Sequence, residues 1–261
     1  MEKLSNMLQI PATQETCTEP SSMISSEQMR VDTFNAMIGS DYSVECSKCK
    51  NKGQVAVLND DGHFSIRQCE CMTIRRNRKR IERSGLSDLI RRYTFEAYEE
   101  ATDWNRRLKQ TALAYAADPE DHWFFVSGNP GTGKTHICTA ICSSFIDTGR
   151  TLIYMPWREF APRLKALIND RPEYEKQMRQ LKDADVLYID DFLKGTVTEA
   201  DINLSFELLN SRYNDTGKLT IISSERDLQE IGDYDSAVSS RIFERSKGFV
   251  CVSPKENWRL K

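Results

Sequence analysis

The chain has 261 residues, enough for one α/β domain with a full apolar core and a smaller appended unit. Charged residues make up 29% of it, yet the formal net charge is only −3, which excludes a uniformly basic nucleic-acid coat or an acidic tail and makes any phosphate-binding charge local. No run of about 18 apolar residues occurs, and the first residues lack the basic start and apolar core of a secretory signal, so a cytoplasmic protein without membrane contact is expected.

Residues 1–40 are rich in Ser, Thr, Glu, Gln and Met. Their loose apolar pattern (Met29, Phe34, Met37, Ile38) supports one short helix, and a flexible or partner-dependent segment is expected. Residues 41–72 carry two close cysteine pairs, Cys46/Cys49 and Cys69/Cys71, around Gln54–Leu58 and His63–Ile66, which flank an Asp-Gly turn and read as a hairpin. C-x2-C, nineteen residues, then C-x-C is a spacing that can build a Zn²⁺ tetrahedron from two pairs, with His63 as a possible replacement for one thiolate. Four unlinked thiols are the alternative. Cys17, Cys138, Cys142 and Cys251 are scattered singly and read as ordinary core or loop residues.

Residues 73–100 are expected to form a basic linker or helix. From Thr73 to Arg92 the chain carries Arg75, Arg76, Arg78, Lys79, Arg80, Arg83, Arg91 and Arg92 against only Glu82 and Asp88. This run can neutralise nucleic-acid phosphates, form a solvated helix face, or dock an acidic partner. The ATPase domain is expected over 101–261. Trp104, Leu108, Ala112 and Tyr115 recur at helical spacing over 103–117. Strands follow at Trp123–Val126, Thr151–Met155, Val186–Ile189 and Leu219–Ser223, alternating with helices, among them 157–169, 173–182 and 200–213. That alternation predicts an α/β fold with a mostly parallel sheet flanked by helices.

Gly128-Asn129-Pro130-Gly131-Thr132-Gly133-Lys134-Thr135 fits the phosphate-binding pattern G-x-x-x-x-G-K-[ST], between a predicted strand and a predicted helix. Glycines let the backbone N–H groups turn inward on phosphates, Lys134 adds a full positive charge, and Thr135 offers a hydroxyl to Mg²⁺. Asp190-Asp191 ends an apolar strand, which suits Asp190 to the Mg²⁺ shell and Asp191 to orienting or deprotonating the attacking water. The strand end Ile221–Arg226 delivers polar groups to the same sheet edge. Further on, Arg241 and Arg245 lie four apart on one helix face, and Arg259 follows; one of these guanidinium groups can act on a neighbour's ATP.

Together these features resemble the AAA+ helicase loaders of the DnaC/DnaI type, in particular their Gram-positive bacterial and phage forms. The resemblance covers about residues 46–261 and rests on the cysteine-rich module, GNPGTGKTH at 128–136, VLYIDDF at 186–192, DINLSFELLNSRY at 201–213, IISSERDLQEI at 221–231, SSRIFERSKG at 239–248 and the closing NWRLK. It implies an AAA+ domain without a full helical lid and places His136 within the nucleotide-binding loop. It also implies Ser224 and Glu225 at the sensor-1 position, Arg241 as the arginine finger with Arg245 close by, and Arg259 at sensor 2. ATP, Mg²⁺ and Zn²⁺ are the implied cofactors. The implied activity is ATP-dependent loading of a hexameric DnaB-type helicase onto single-stranded DNA, with ATP-dependent self-assembly. A transposase-helper ATPase acting on duplex DNA shares such a core but generally lacks the cysteine module. A non-catalytic adaptor, which would bind ATP without turnover, is a third reading.

Overall fold

The computed structural model describes residues 25–84 and 86–254. The expectation for residues 1–24, Cys17 among them, lies outside the described residues. Helix α1 (Ser26–Ala36) is capped by Ser25, whose hydroxyl accepts the Gln28 N–H. Strands β1 (Gln54–Leu58) and β2 (Phe64–Gln68) form the expected antiparallel hairpin, with Gln54 opposite Gln68 and Leu58 opposite Phe64.

Within the segment expected to be flexible or partner-dependent, residues 26–36 form α1, which is packed on this hairpin. The Asn35 side-chain amide donates to the Ala56 carbonyl and accepts the Ala56 N–H, each at 2.9 Å, and the Phe34 ring meets Phe64 edge-on at 6.1 Å. A two-stranded hairpin buries too little by itself, and α1 covers one of its faces.

Helix α2 (Cys71–Ser84) carries most of the arginine run, but part of that charge is already committed. Arg75 is buried, pairs with Asp41 and donates to the Val44 carbonyl. Arg78 binds the Ser43 carbonyl and the Asp147 carboxylate, and Arg91 pairs with Asp88 on α3 (Leu86–Arg92). Leu86 is fully buried in the ATPase core, and Leu89 and Ile90 pack against it. The expected division at residue 101 therefore separates elements that share one core.

The main sheet is parallel throughout, in the order β4-β5-β6-β3-β7. After α4 (Asp103–Ala117) come β3 (Phe124–Ser127), α5 (Lys134–Phe145), β4 (Leu152–Pro156), α6 (Trp157–Ala166), α7 (Arg171–Asp183) and β5 (Val186–Phe192). Then follow α8 (Glu199–Tyr213), β6 (Leu219–Ser224), α9 (Leu228–Gly232), α10 (Ser236–Arg245) and β7 (Val250–Val252). Strand alternation divides the apolar residues between two faces: Phe124 and Val126 join the cluster under α4 and α5, while Trp123 and Phe125 join the one under α6, α8 and α10. Both faces are covered, which is why the strands read as unbroken apolar runs.

Strand β7, three residues long, was too short to be legible as a period. Among the described residues no helical lid follows it, and no helix is long and apolar enough to cross a membrane. Arg212 ties the layers together: fully buried, it donates to the carbonyls of Leu181, Lys182, Ala184 and Leu219.

Candidate functional site

The phosphate-binding loop runs from the end of β3 into the first turn of α5. Gly133 has φ +86°, and a Cβ there would lie 2.7 Å from the Tyr98 hydroxyl, so only glycine fits without displacement. The unpaired N–H groups of the first turn of α5 begin at this point, which makes the helix start an anion-binding surface. Lys134 is buried, and its Nζ donates to the Gly128 carbonyl at 2.6 Å and to the Asn129 carbonyl at 3.0 Å. Burial lowers its pKa below the ordinary lysine value, against the opposing pull of Glu225 and Asp191.

Asp190 sits where four hydroxyl groups converge. Its Oδ1 accepts from Thr135 at 3.2 Å, from Tyr188 at 2.7 Å and from Ser223, and its Oδ2 accepts from Tyr154 at 3.0 Å. Burial, with the Asp190 charge next in weight, raises the pKa of both tyrosines, so they remain donors. Thr135 and Asp190 thus stand together as oxygen ligands suited to a hard cation such as Mg²⁺.

Asp191 takes the left-handed conformation, φ +55°, at a register break between β5 and β6. The break turns it out of the ladder and into a cleft of about 290 Å³, whose lining includes Lys134, Thr135, Lys194 and Glu225. Lys194 Nζ bridges Asp191 at 3.0 Å and Glu225 at 2.8 Å. Burial works against the Lys194 charge, but the two carboxylates outweigh it and raise its pKa.

Ser224 is a correction to the sequence reading. Its hydroxyl donates to the Phe192 carbonyl and accepts the Arg226 N–H, and it does not line the cleft. Strand alternation sends Ser223 and Glu225 to the nucleotide side and Ser224 to the other. His136 lines the cleft but is otherwise engaged, stacked on Tyr93 at 4.7 Å and bonded through Nε2 to the Thr94 carbonyl at 2.8 Å.

Arg241 and Arg245 are absent from the cleft lining. The Arg245 guanidinium binds the carbonyls of Tyr213 and Asp121 and lies over Trp123, near the start of β3 and at the opposite end of that strand from the phosphate loop. Arg241 rests between the rings of Phe206 and Tyr213 and donates only to Ala237 of its own helix. Arg259 lies outside the described residues.

No local pattern marks Tyr154 or Lys194 as part of the site. Tyr188 was accessible to reasoning, since a residue two before Asp190 on a strand shares its face.

The sulfurs of Cys46, Cys49, Cys69 and Cys71 lie within 4.8 Å of one another. Cys46–Cys69 is 3.7 Å and Cys49–Cys71 is 3.5 Å, close to the S···S edge of about 3.8 Å that tetrahedral Zn–S bonds of about 2.3 Å require. Burial raises the Cys69 and Cys71 thiols, whereas at Cys49 the Gly53 N–H and the three neighbouring sulfurs outweigh burial and bring it down to about 7. The donor set therefore fits zinc. His63 is exposed at the turn end of the hairpin and is not part of the cluster.

The profile of the bacterial DnaA ATPase domain matches residues 89–250. Among curated proteins, the chain is 27% identical over 224 residues to the phage-like element PBSX protein XkdC of Bacillus subtilis, covering 80% of this chain and 82% of that one. It is 26% identical over 161 residues to the replicative helicase loader DnaC of Escherichia coli, covering 59% and 65%. It is 31% identical over 121 residues to the insertion sequence IS21 putative ATP-binding protein of Pseudomonas aeruginosa, covering 45% and 44%. Among solved structures, a crystal structure of the DnaC helicase loader superposes with a TM-score of 0.55 at 21% identity, over 62% of this chain and 97% of that one, a likeness of fold.

Proposed function

The chain belongs to the family of bacterial DnaA ATPase domains, and from that premise we propose that it is an ATP-driven loader of a hexameric DnaB-type replicative helicase onto single-stranded DNA. One observation carries the reading: a single chain joins a phosphate cradle and carboxylate pair to a four-cysteine module that is docked on the ATPase sheet. Similarity to the replicative helicase loader DnaC supports the same assignment.

In this reading the backbone from Gly128 to Thr135 cradles the phosphates, and Lys134 moves from the loop carbonyls onto the β- and γ-phosphates. Thr135 and Asp190 hold Mg²⁺, which neutralises phosphate charge when bound. Asp191 orients the attacking water and takes its proton, and Glu225 holds the cleft wall opposite. Arg241 reaches the ATP of an adjacent copy in an ATP-dependent assembly. Cys46, Cys49, Cys69 and Cys71 hold Zn²⁺ as a structural ion, and the module they close binds the helicase. Single-stranded DNA is gripped through phosphate contacts, without sequence preference.

The IS21 relative favours a second reading, a transposase helper acting on duplex DNA. Co-purification with a DnaB-type helicase, with and without Mg-ATP, separates the two. The comparison is with a variant altered at Ile38 and Tyr42, which are 74% and 69% exposed on the module. A complex that weakens in the variant supports the loader. No complex under any nucleotide condition transfers the assignment to the helper.

A further inference from the structure

The cleft contains a second ammonium group whose place the phosphate loop and the carboxylate pair do not explain. Lys194 lies on the turn after β5, with 27% of its side chain exposed. Its backbone is held on both sides. Leu193 is buried in the core, and Arg226 donates from Nε to the Leu193 carbonyl at 3.0 Å and from Nη2 to the Gly195 carbonyl at 2.8 Å. The Lys194 N–H itself donates to the Asp191 carbonyl. A side chain that only braced the fold would have no need to end in the cleft, yet this one lines it together with Lys134 and Thr135.

Charge shows what the ammonium does there. Asp191 and Glu225 would meet an incoming polyphosphate as two anions, and Lys194 bonds to both. Its position between them leaves it one partner to exchange and one to keep. A γ-phosphate carries more charge than Asp191 and competes for the same donors. A diphosphate has no such group to offer.

We propose that Lys194 is a second phosphate-reading lysine that ties the freedom of Asp191 to the presence of a γ-phosphate. This rests on the reading of the cleft as an ATP site. With a triphosphate present, the ammonium shifts from Asp191 to the γ-phosphate while Glu225 keeps it within reach. The freed Asp191 carboxylate then takes the proton of the attacking water as the water oxygen bonds to the γ-phosphorus. The bond from that phosphorus to the bridging oxygen breaks, and its electron pair leaves with ADP. Once the terminal phosphate is gone, the ammonium returns to Asp191.

The test compares full-length wild type, Lys194→Met, Lys194→Arg and Glu225→Gln for Mg-ATP turnover and for calorimetric binding of Mg-ADP and Mg-AMPPNP. K194M is expected to keep Mg-ADP affinity within about twofold, to lose about five- to tenfold in Mg-AMPPNP affinity, and to fall at least about tenfold in kcat. K194R is expected to regain the preference for the triphosphate analogue. E225Q, which leaves Asp191 as the only carboxylate on Lys194, is expected to slow turnover with Mg-ADP affinity retained. Wild-type turnover in K194M or E225Q overturns the proposal, and so does an equal loss of ADP and AMPPNP affinity in K194M, which would mark a structural brace. Absence of turnover in the wild type itself would instead overturn the ATPase reading of the cleft.

Discussion

The side-chain amide of Asn77 completes the outer edge of strand β4 at Leu152. Its Oδ1 accepts the Leu152 N–H at 3.1 Å and its Nδ2 donates to the Arg150 carbonyl, so one side chain from α2 fills the place of a missing strand. Asn77 is fully buried there. Two residues further along β4, the Tyr154 hydroxyl reaches Asp190, which puts the docking point of the cysteine module next to the strand that supports the candidate Mg²⁺ ligand.

Replacing Asn77 with Ala would leave a buried N–H and a carbonyl without partners. An unsatisfied buried polar group costs about 1–3 kcal/mol, so N77A is expected to lose at least that much stability in chemical denaturation. It is also expected to release the module, seen as faster hydrogen exchange at Leu152. Unchanged exchange there would mean that other contacts of α2 suffice.

Asp190 has a structural duty besides any metal binding. In Asp190→Ala the hydroxyls of Tyr188 and Ser223, both fully buried, lose their shared acceptor. A loss of about 2–4 kcal/mol is expected, whereas half-buried Asp191→Ala should cost about 1 kcal/mol or less. Both variants should lose ATP hydrolysis. Parallel denaturation and turnover assays distinguish the two residues, and equal stability losses would contradict the hydroxyl arrangement.

The two arginines of α10 are expected to fail differently. Arg245→Ala removes bonds to two backbone carbonyls and a contact with Trp123, and should lower stability by about 1–3 kcal/mol. Arg241→Ala should fold normally and lose turnover only through the neighbouring copy. Mixing R241A with Lys134→Ala should therefore restore part of the activity, since each variant supplies what the other lacks. No recovery in the mixture would remove Arg241 from a role in trans.

Chelation should dissect the molecule. With zinc bound in a one-to-one ratio, stripping the metal is expected to unfold the hairpin while the ATPase sheet keeps its own unfolding transition, because among the described residues the cysteine cluster has only Val44 and Val55 packed against it as further apolar support. Calorimetry before and after chelation provides the measurement. A single unchanged transition would argue against a structural metal.

Acid should act on the same module through Asp41. The Ser43 hydroxyl and N–H, and then the Arg75 guanidinium, hold the Asp41 carboxyl down at about 2, from an ordinary value of 3.8. A carboxyl depressed in the folded state adds stability that is complete above its unfolded pKa and is lost as pH falls through the folded value. The contribution should therefore persist to about pH 4 and disappear toward pH 2. Asp41→Asn should remove that part of the pH dependence, read from unfolding midpoints across this range.

Much of the cradle was legible because its chemistry is local. Gly128 to Thr135 and Asp190-Asp191 declare themselves by residue type and spacing, and the flanking apolar runs place them at strand ends. Cys46, Cys49, Cys69 and Cys71 were legible for the same reason, and a hairpin of two five-residue strands is enough to bring the two pairs together. Ser224 was misplaced because the side of a strand on which a residue falls depends on register, and a shift of one residue exchanges the faces.

By itself the sequence determined the α/β alternation, the phosphate loop, the carboxylate pair and the paired thiols, since each depends on residues close together in the chain. Tertiary structure alone decided that Arg75 is a buried brace instead of a free cation, that Tyr154 and Ser223 converge on Asp190, and that Lys194 bridges Asp191 to Glu225. Most of these contacts join residues about thirty or more positions apart, and local patterning carries no record of which distant strand end will lie alongside.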